Sequence, residues 1–293
     1  MSLSENTADL RTGMDALVFH GWAMRMLSGL RASFLLAVFL AITLPLMLVQ
    51  YALVQLRSPR ARTLPHFYHK LVCRVLGIRV HLSGSVDPGT PALLVSNHVS
   101  WLDIVALSTV APVSFVAKSE VGTWPFVSLL AKLQRSVFVD RARRTLVKHK
   151  AGEIAKRLAK GDNIVLFAEG TSSDGNRVLP FRSSLFSAAC LGSGNENGNG
   201  TAAVVHTVLI AYTHLHGLPI LRHERPMVAW YGEMDMLSHV WNVLKSGPLD
   251  VTISISEPVP LASLTGRKEL AAFSEARVRR DFVEKLTSRP HAA

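Results

Sequence analysis

Near its N-terminus the chain has a long stretch in which polar positions fail to recur. From Ala32 to Leu56 there is no charged residue, and the run from Ser33 onward is almost wholly apolar. At about 1.5 Å of rise per residue, such a run covers a hydrocarbon core of about 30 Å. A cleaved signal peptide has a shorter apolar region, about 7–15 residues, so the run is read as a retained anchor over 32–56. Pro45 and Gln50 leave two forms open: a helix that crosses the bilayer, or a re-entrant segment that dips into one leaflet. Residues 1–31 carry no strong pattern and form a lead-in. Residues 57–293 show no further boundary and are read as one domain.

Behind the anchor the period becomes helical. Leu64 to Leu76 predicts an amphipathic helix, with Phe67, Leu71, Val72, Val75 and Leu76 on one side and His66, His69, Lys70 and Arg74 around them. It suits either an anionic membrane surface or an ordinary packed helix. Short runs rich in Val, Ile and Phe then predict strands at 78–82, 92–96, 114–117, 136–140, 163–168, 203–212, 226–231 and 249–255. Helical patterns fall at 101–110, 124–134, 142–160, 181–190, 235–245 and 267–286. Strands alternating with helices predict the α/β class: a single helix-covered, mostly parallel sheet domain behind an N-terminal membrane anchor. The stretch from Leu191 to Gly200 reads as a surface loop.

Composition narrows the choice of partners. The chain holds 32 Lys and Arg against 21 Asp and Glu, a net charge of +11, together with 48% hydrophobic residues. A mean hydropathy of +0.25 with that charge favours an anionic membrane over nucleic acid, and no nucleic-acid motif is present. Basic residues flank the anchor, with Arg57, Arg60, Arg62, Lys70 and Arg74 on its C-terminal side. The positive-inside rule therefore puts the long domain in the cytoplasm. Helix 142–160 carries Arg143, Arg144, Lys148, Lys150, Lys156, Arg157 and Lys160, a face for an acidic carrier protein or the leaflet, or simply a solvated face. Trp124, Pro125, Phe126 and Val127, with Leu129, Leu130 and Leu133, form an interfacial wedge or a core helix. Cys73 and Cys190 make no disulfide framework.

In open α/β sheets, ligands bind beyond the carboxyl ends of the strands. That rim collects Asn97 and His98, Lys118, Asp140 and Arg141, and Glu169, Gly170 and Thr171. Ser100-x-x-Asp103 has the spacing of a helix N-cap with an acidic third residue. If His98 stands just before that cap, the turn brings Asp103 back to the imidazole. A carboxylate there fixes the tautomer and leaves the other ring nitrogen as a base for an alcohol. A G-x-S-x-G elbow is missing, which disfavours a serine hydrolase. His214, His216 and His223 lack the partners of a metal set, so no metal is expected. A non-enzymatic, basic membrane-surface protein is the competing class, and it has no use for the His98 and Asp103 pair.

Asn97-His98-x-Ser100-x-x-Asp103 resembles the signature block of the lysophosphatidic acid acyltransferase superfamily, the glycerolipid acyltransferases with an H-x-x-x-x-D motif. Phe115 to Glu120, Ser136 to Arg141 and Leu166 to Thr171 are similar to its later blocks, in order. The resemblance implies direct acyl transfer without a cofactor, from the thioester of acyl-carrier protein or CoA to a lysolipid hydroxyl. It makes His98 and Asp103 catalytic, and puts Asn97, Ser100, Lys118, Arg141, Glu169, Gly170 and Thr171 at the substrate. It also implies a bacterial inner (cytoplasmic) membrane location. Some positions depart from the family: Ser172 stands where phosphate-acceptor members place Arg, Gln134-Arg135 and Ala168 replace a usual Gly and Pro, and Thr207 another Pro. An arginine pairs bidentately with phosphate, so its loss argues against lysophosphatidic acid. The segments LQRSVFVDR and FAEGTSSDGNRVLPFRSSLF most resemble the bacterial lyso-ornithine lipid O-acyltransferase subgroup. There Glu169, Asp140 or Asp174 would meet the headgroup ammonium. The alternative is 1-acylglycerol-3-phosphate acylation in phospholipid biosynthesis.

Overall fold

The computed structural model describes residues 3–139, 144–187, 203–264 and 266–287. Asp140, Arg141, Arg143, Cys190 and the loop 191–200 lie outside the described residues. The lead-in and the apolar run after it form one helix, α1 (Leu3–Gln55), within which Met26–Gln55 is long and apolar enough to cross a membrane. Helix α2 (Arg60–Leu76) starts after a short turn and packs back against it. There follow β1 (Ile78–Ser83), β2 (Ala92–Ser96), α3 (Leu102–Leu107), β3 (Val113–Lys118), α4 (Val127–Leu133) and β4 (Val137–Val139). The second half holds α5 (Arg144–Ala159), β5 (Asn163–Phe167), β6 (Val204–Leu215), β7 (Leu218–Pro219), α6 (Met236–Ser246), β8 (Leu249–Ile255), β9 (Val259–Pro260) and α7 (Arg267–Thr287).

The sheet order is β1-β8-β6-β2-β5-β3-β4, with β7 and β9 also paired to β6. From β6 to β4 every pairing is parallel. The direction reverses once along that order, where β8 runs antiparallel to β6, and β1 then follows β8 in parallel. Central strands read as unbroken apolar runs because helices cover both faces. All five residues of β2 are buried. Leu94 enters the core under α2 and α3, whereas Leu93 and Val95 enter the core shared with α5 and α7. Full burial of a leucine contributes about 1.5–3 kcal/mol, so this strand is pinned from both sides. Its last residue, Ser96, pairs with Phe167 at the end of β5, which sets the two strand ends level.

Helix α1 is joined to the domain along its apolar length. Arg31 donates to the Leu244 carbonyl of α6, the Thr43 hydroxyl meets the Tyr68 hydroxyl of α2, and the Gln50 amide donates to the carbonyls of Ala61 and Leu133. In α2 the buried stripe is Ala61, Pro65, His69, Val72, Cys73 and Leu76. The expected apolar side is therefore divided, since Phe67 and Leu71 face outward. Phe126 and Leu129, at the start of α4, are exposed as well, while Leu133 is buried.

Three expected elements change form. Residues 226–231 are no strand: Pro226 removes a ladder donor, and Arg225–Met227 is a 3-10 turn followed by irregular chain. The helix expected at 124–134 is α4 alone, preceded by a 3-10 turn at Ser119–Thr123. Of the helix expected at 181–190, the described part is mainly a 3-10 turn, Ser183–Phe186. Arg157 also turns inward from the basic face of α5. It bonds Asp162 and the Ser114 hydroxyl, joining Arg62 and Arg135 around that one carboxylate.

Candidate active site

Strand β2 ends between β5 and β6, and its exit segment carries His98. Nδ1 of His98 donates to Asp103 Oδ2 at 2.7 Å. A carboxylate partner requires the proton on Nδ1, so in the neutral ring the lone pair lies on Nε2. Asp103 sits in the first turn of α3 and is fully buried. Its Oδ2 also accepts from the backbone N–H of Val99 at 2.7 Å and of Ser100 at 3.0 Å, and its Oδ1 accepts from the Tyr212 hydroxyl at 2.6 Å. The turn between His98 and α3 thus closes on the carboxylate it presents. The imidazole lies flat on Phe167 of β5, with centroids 4.0 Å apart and planes at 16°, and Phe167 stacks in turn on Phe115 of β3. The His98 side chain retains 18% exposure. The ring is held at one edge and one face, with its other edge available to a substrate.

Asn97 and Ser100 are both fully buried. Asn97 donates from its amide to the Ile210 carbonyl and accepts from the Ile210 N–H, both at 2.9 Å, which extends the β2–β6 pairing past the strand end. The Ser100 hydroxyl has no hydrogen-bond partner among the described residues. It does not cap α3, because the cap position falls to Trp101 and the Asp103 side chain takes the backbone N–H groups instead. Lys118 ends β3 exposed and ion-paired with Glu120. Arg141 lies outside the described residues.

The segment after β5 folds over the same rim. Gly170 takes a φ of +76°, a left-handed turn that admits glycine without strain. Its N–H is used by the Phe167 carbonyl. The Ser173 N–H donates to the His98 carbonyl at 2.8 Å, so this loop rests directly on the histidine segment. Thr171 is exposed between them. Glu169 is only 1% exposed and accepts the Leu179 N–H on Oε1, which ties the loop's far end to its start. That contact braces the loop, and Oε2 accepts no hydrogen bond among the described residues. Ser172 donates its hydroxyl to the Trp230 carbonyl. Trp230 donates its backbone N–H to the Val99 carbonyl at 2.9 Å, and its ring packs edge-on against Trp124, with centroids 5.8 Å apart.

Burial pushes the Glu169 carboxyl up to about 8, helped by the Asp103 charge and opposed by the backbone N–H groups of Leu179 and His98. The sign of the pH effect follows. Below pH 4.5, the ordinary value, folded and unfolded chains both hold this proton. Above it the unfolded chain releases the proton while the fold keeps it, so stability falls with rising pH until both have released it near pH 8. The slope is at most about 1.4 kcal/mol per pH unit. Melting temperatures of wild type and Glu169→Gln between pH 5 and 8 test this. The variant's relative stability should improve as pH rises, and a constant difference would refute a buried, protonated Glu169.

Sequence reasoning missed Tyr212, Phe167 and Trp230, whose contacts join distant parts of the chain. No His, Cys, Asp and Glu group that would hold a metal ion occurs among the described residues.

The family model described as Acyltransferase matches residues 77–210. A lyso-ornithine lipid O-acyltransferase of Brucella abortus is 46% identical over 254 residues, covering 87% of this chain and 94% of that one. A Rhizobium meliloti protein of the same name is 41% identical over 86% of each chain. The crystal structure of the 1-acyl-sn-glycerophosphate acyltransferase of Thermotoga maritima shares the fold, with a TM-score of 0.63 at 23% identity, over 91% of this chain and 98% of that one. A histidine held by a buried carboxylate at the end of a central strand now has relatives that match nearly the whole chain, and the protein belongs to the acyltransferase family.

Proposed function

We propose that this acyltransferase moves a fatty acyl group from a thioester to the free hydroxyl of lyso-ornithine lipid, giving ornithine lipid. Nε2 of His98 takes the hydroxyl proton as the oxygen attacks the thioester carbonyl carbon. The tetrahedral intermediate collapses with cleavage of the C–S bond, and the imidazolium returns the proton to the leaving thiolate. The products are an ester and a free thiol, without a covalent enzyme intermediate. The Gly170 N–H is engaged by the Phe167 carbonyl, and the amides of Thr171 and Ser172 on the same turn are assigned here as donors to the oxyanion. General-base help of this kind contributes about 10²–10⁴-fold.

The observation that carries the acceptor choice is Ser172. Its hydroxyl is turned into the Trp230 carbonyl, at a position where phosphate-accepting relatives would present a guanidinium. The 46% identity to the Brucella abortus protein supports the same acceptor. Acyl-carrier protein is the proposed donor, since an acidic carrier matches a chain of net charge +11. The exposed apolar residues of α1, α2 and α4 support association with the inner membrane, with the domain on the cytoplasmic side where acyl thioesters are made.

The deciding experiment offers the same membranes an acyl-carrier-protein thioester with lyso-ornithine lipid and, separately, with lysophosphatidic acid. Product should form faster with the ornithine acceptor. Preference for the phosphate acceptor would overturn the headgroup assignment and leave acyl transfer intact.

A further inference from the structure

Beside the loop that rests on His98 stands an arginine with an incomplete set of partners. Arg225 opens the 3-10 turn Arg225–Met227, in the segment whose Trp230 is bonded to Val99. Its guanidinium reaches Asn176 Oδ1 through Nη1 at a long 3.4 Å. Nε is buried and has no hydrogen-bond partner among the described residues. No carboxylate pairs with it among the described residues. A buried guanidinium N–H without an acceptor is costly, and the usual remedy is an anion that takes two of its parallel donors. Burial and the nearby Arg222 both lower the pKa of Arg225, so the site gains from an added negative charge.

Its position is set by Gly175. A side chain built there would meet Val99 Cγ1 at 3.3 Å and Arg225 Cβ at 3.6 Å, so the glycine lets the 225 turn close against the segment just after the catalytic histidine. Asp174 lies on the same loop, where its carboxylate accepts the Asn176 N–H at 3.1 Å, and it makes no ion pair with Arg225. A guanidinium and a carboxylate that make no ion pair among the described residues stand on adjoining turns and match a headgroup that carries both charges and no phosphate.

The geometry points to Arg225 as the residue that binds the free carboxylate of the acceptor's amino-acid headgroup, and so selects that headgroup beside His98. This rests on the acceptor proposed above. An amide-linked ornithine keeps one carboxylate, and a guanidinium fork fits it with two parallel hydrogen bonds. The same chemistry would take a phosphate of the thioester donor, and the two sources differ in which substrate's kinetics change.

Wild type, Arg225→Gln and Arg225→Lys are compared with lyso-ornithine lipid and with its carboxamide analogue, at varied acyl-carrier-protein thioester. A charged hydrogen-bond pair is worth about 10- to 100-fold, so wild type should lose about that much kcat/KM on the carboxamide. Arg225→Gln should treat the two acceptors nearly alike, Arg225→Lys should fall between, and the KM for the thioester should stay unchanged. Equal turnover of both acceptors by wild type, or an unaltered preference in Arg225→Gln, overturns the assignment. A change confined to the thioester KM moves the contact to the donor and overturns it too. If Arg225→Gln does not fold, the wild-type ratio and Arg225→Lys still decide. Wild type that makes no ester from lyso-ornithine lipid removes the acceptor itself, whereas ester formation without discrimination removes only the role of Arg225.

Discussion

His98→Ala should lower kcat by about 10³-fold or more, through the upper part of the range for a positioned general base. The imidazole meets the reacting hydroxyl most strongly as the proton moves, so kcat and kcat/KM should fall together while the acceptor KM changes little. The fold should survive, because neighbouring β2 residues are buried independently and Asp103 keeps its bonds to Val99, Ser100 and Tyr212. Turnover is read in purified membranes, with circular dichroism as the control for folding. Undiminished ester formation would sink the assignment of the base.

Asp103 offers a sharper test, because its partners dictate how an amide would sit. Three donors converge on Oδ2, namely His98 Nδ1 and the backbone N–H groups of Val99 and Ser100. An asparagine would turn its carbonyl oxygen to them and its NH₂ to the Tyr212 oxygen, which can accept. Asp103→Asn therefore keeps the tautomer and the turn while deleting the negative charge. At an effective dielectric of about 20 and about 4 Å between charge centres, that charge stabilises an imidazolium by about 4 kcal/mol. The expected loss in kcat is roughly 10³-fold with little change in melting temperature. Asp103→Ala should be as inactive and also unstable, since Val99, Ser100 and Tyr212 lose an acceptor at about 1–3 kcal/mol each. An asparagine variant as active as wild type would show that the carboxylate does not stabilise the transition state.

The parts of the fold that were legible in the sequence share a physical reason. Strands 92–96 and 163–168 are covered on both faces, so they read as unbroken apolar runs and match β2 and β5 within a residue. The run 226–231 is equally apolar, yet Val228 and Ala229 are buried in irregular chain behind Pro226, and composition cannot tell the two apart. His98 and Asp103 were readable because their contact is local, closed by a turn. Tyr212 was not, for its hydroxyl arrives from a strand 109 residues away. Asn97 and Ser100 stand inside the motif, and the fold turns both inward, a placement that the spacing does not reveal. Which polar group faces a ligand and which braces the backbone is settled by packing, not by spacing.

The seating of α1 has a kinetic consequence. Arg31 and Gln50 are fixed to the domain at points separated by about 28 Å of helix, at about 1.5 Å per residue. Helix and domain are therefore held together at both points, and on the membrane association proposed above the imidazole keeps one height relative to the lipid surface. A lysolipid confined to that surface arrives by lateral diffusion at a single depth. The quantity that governs its encounter with His98 is its mole fraction in the leaflet, a surface density, and inert lipid acts as a diluent of substrate even when nothing in the aqueous volume has changed.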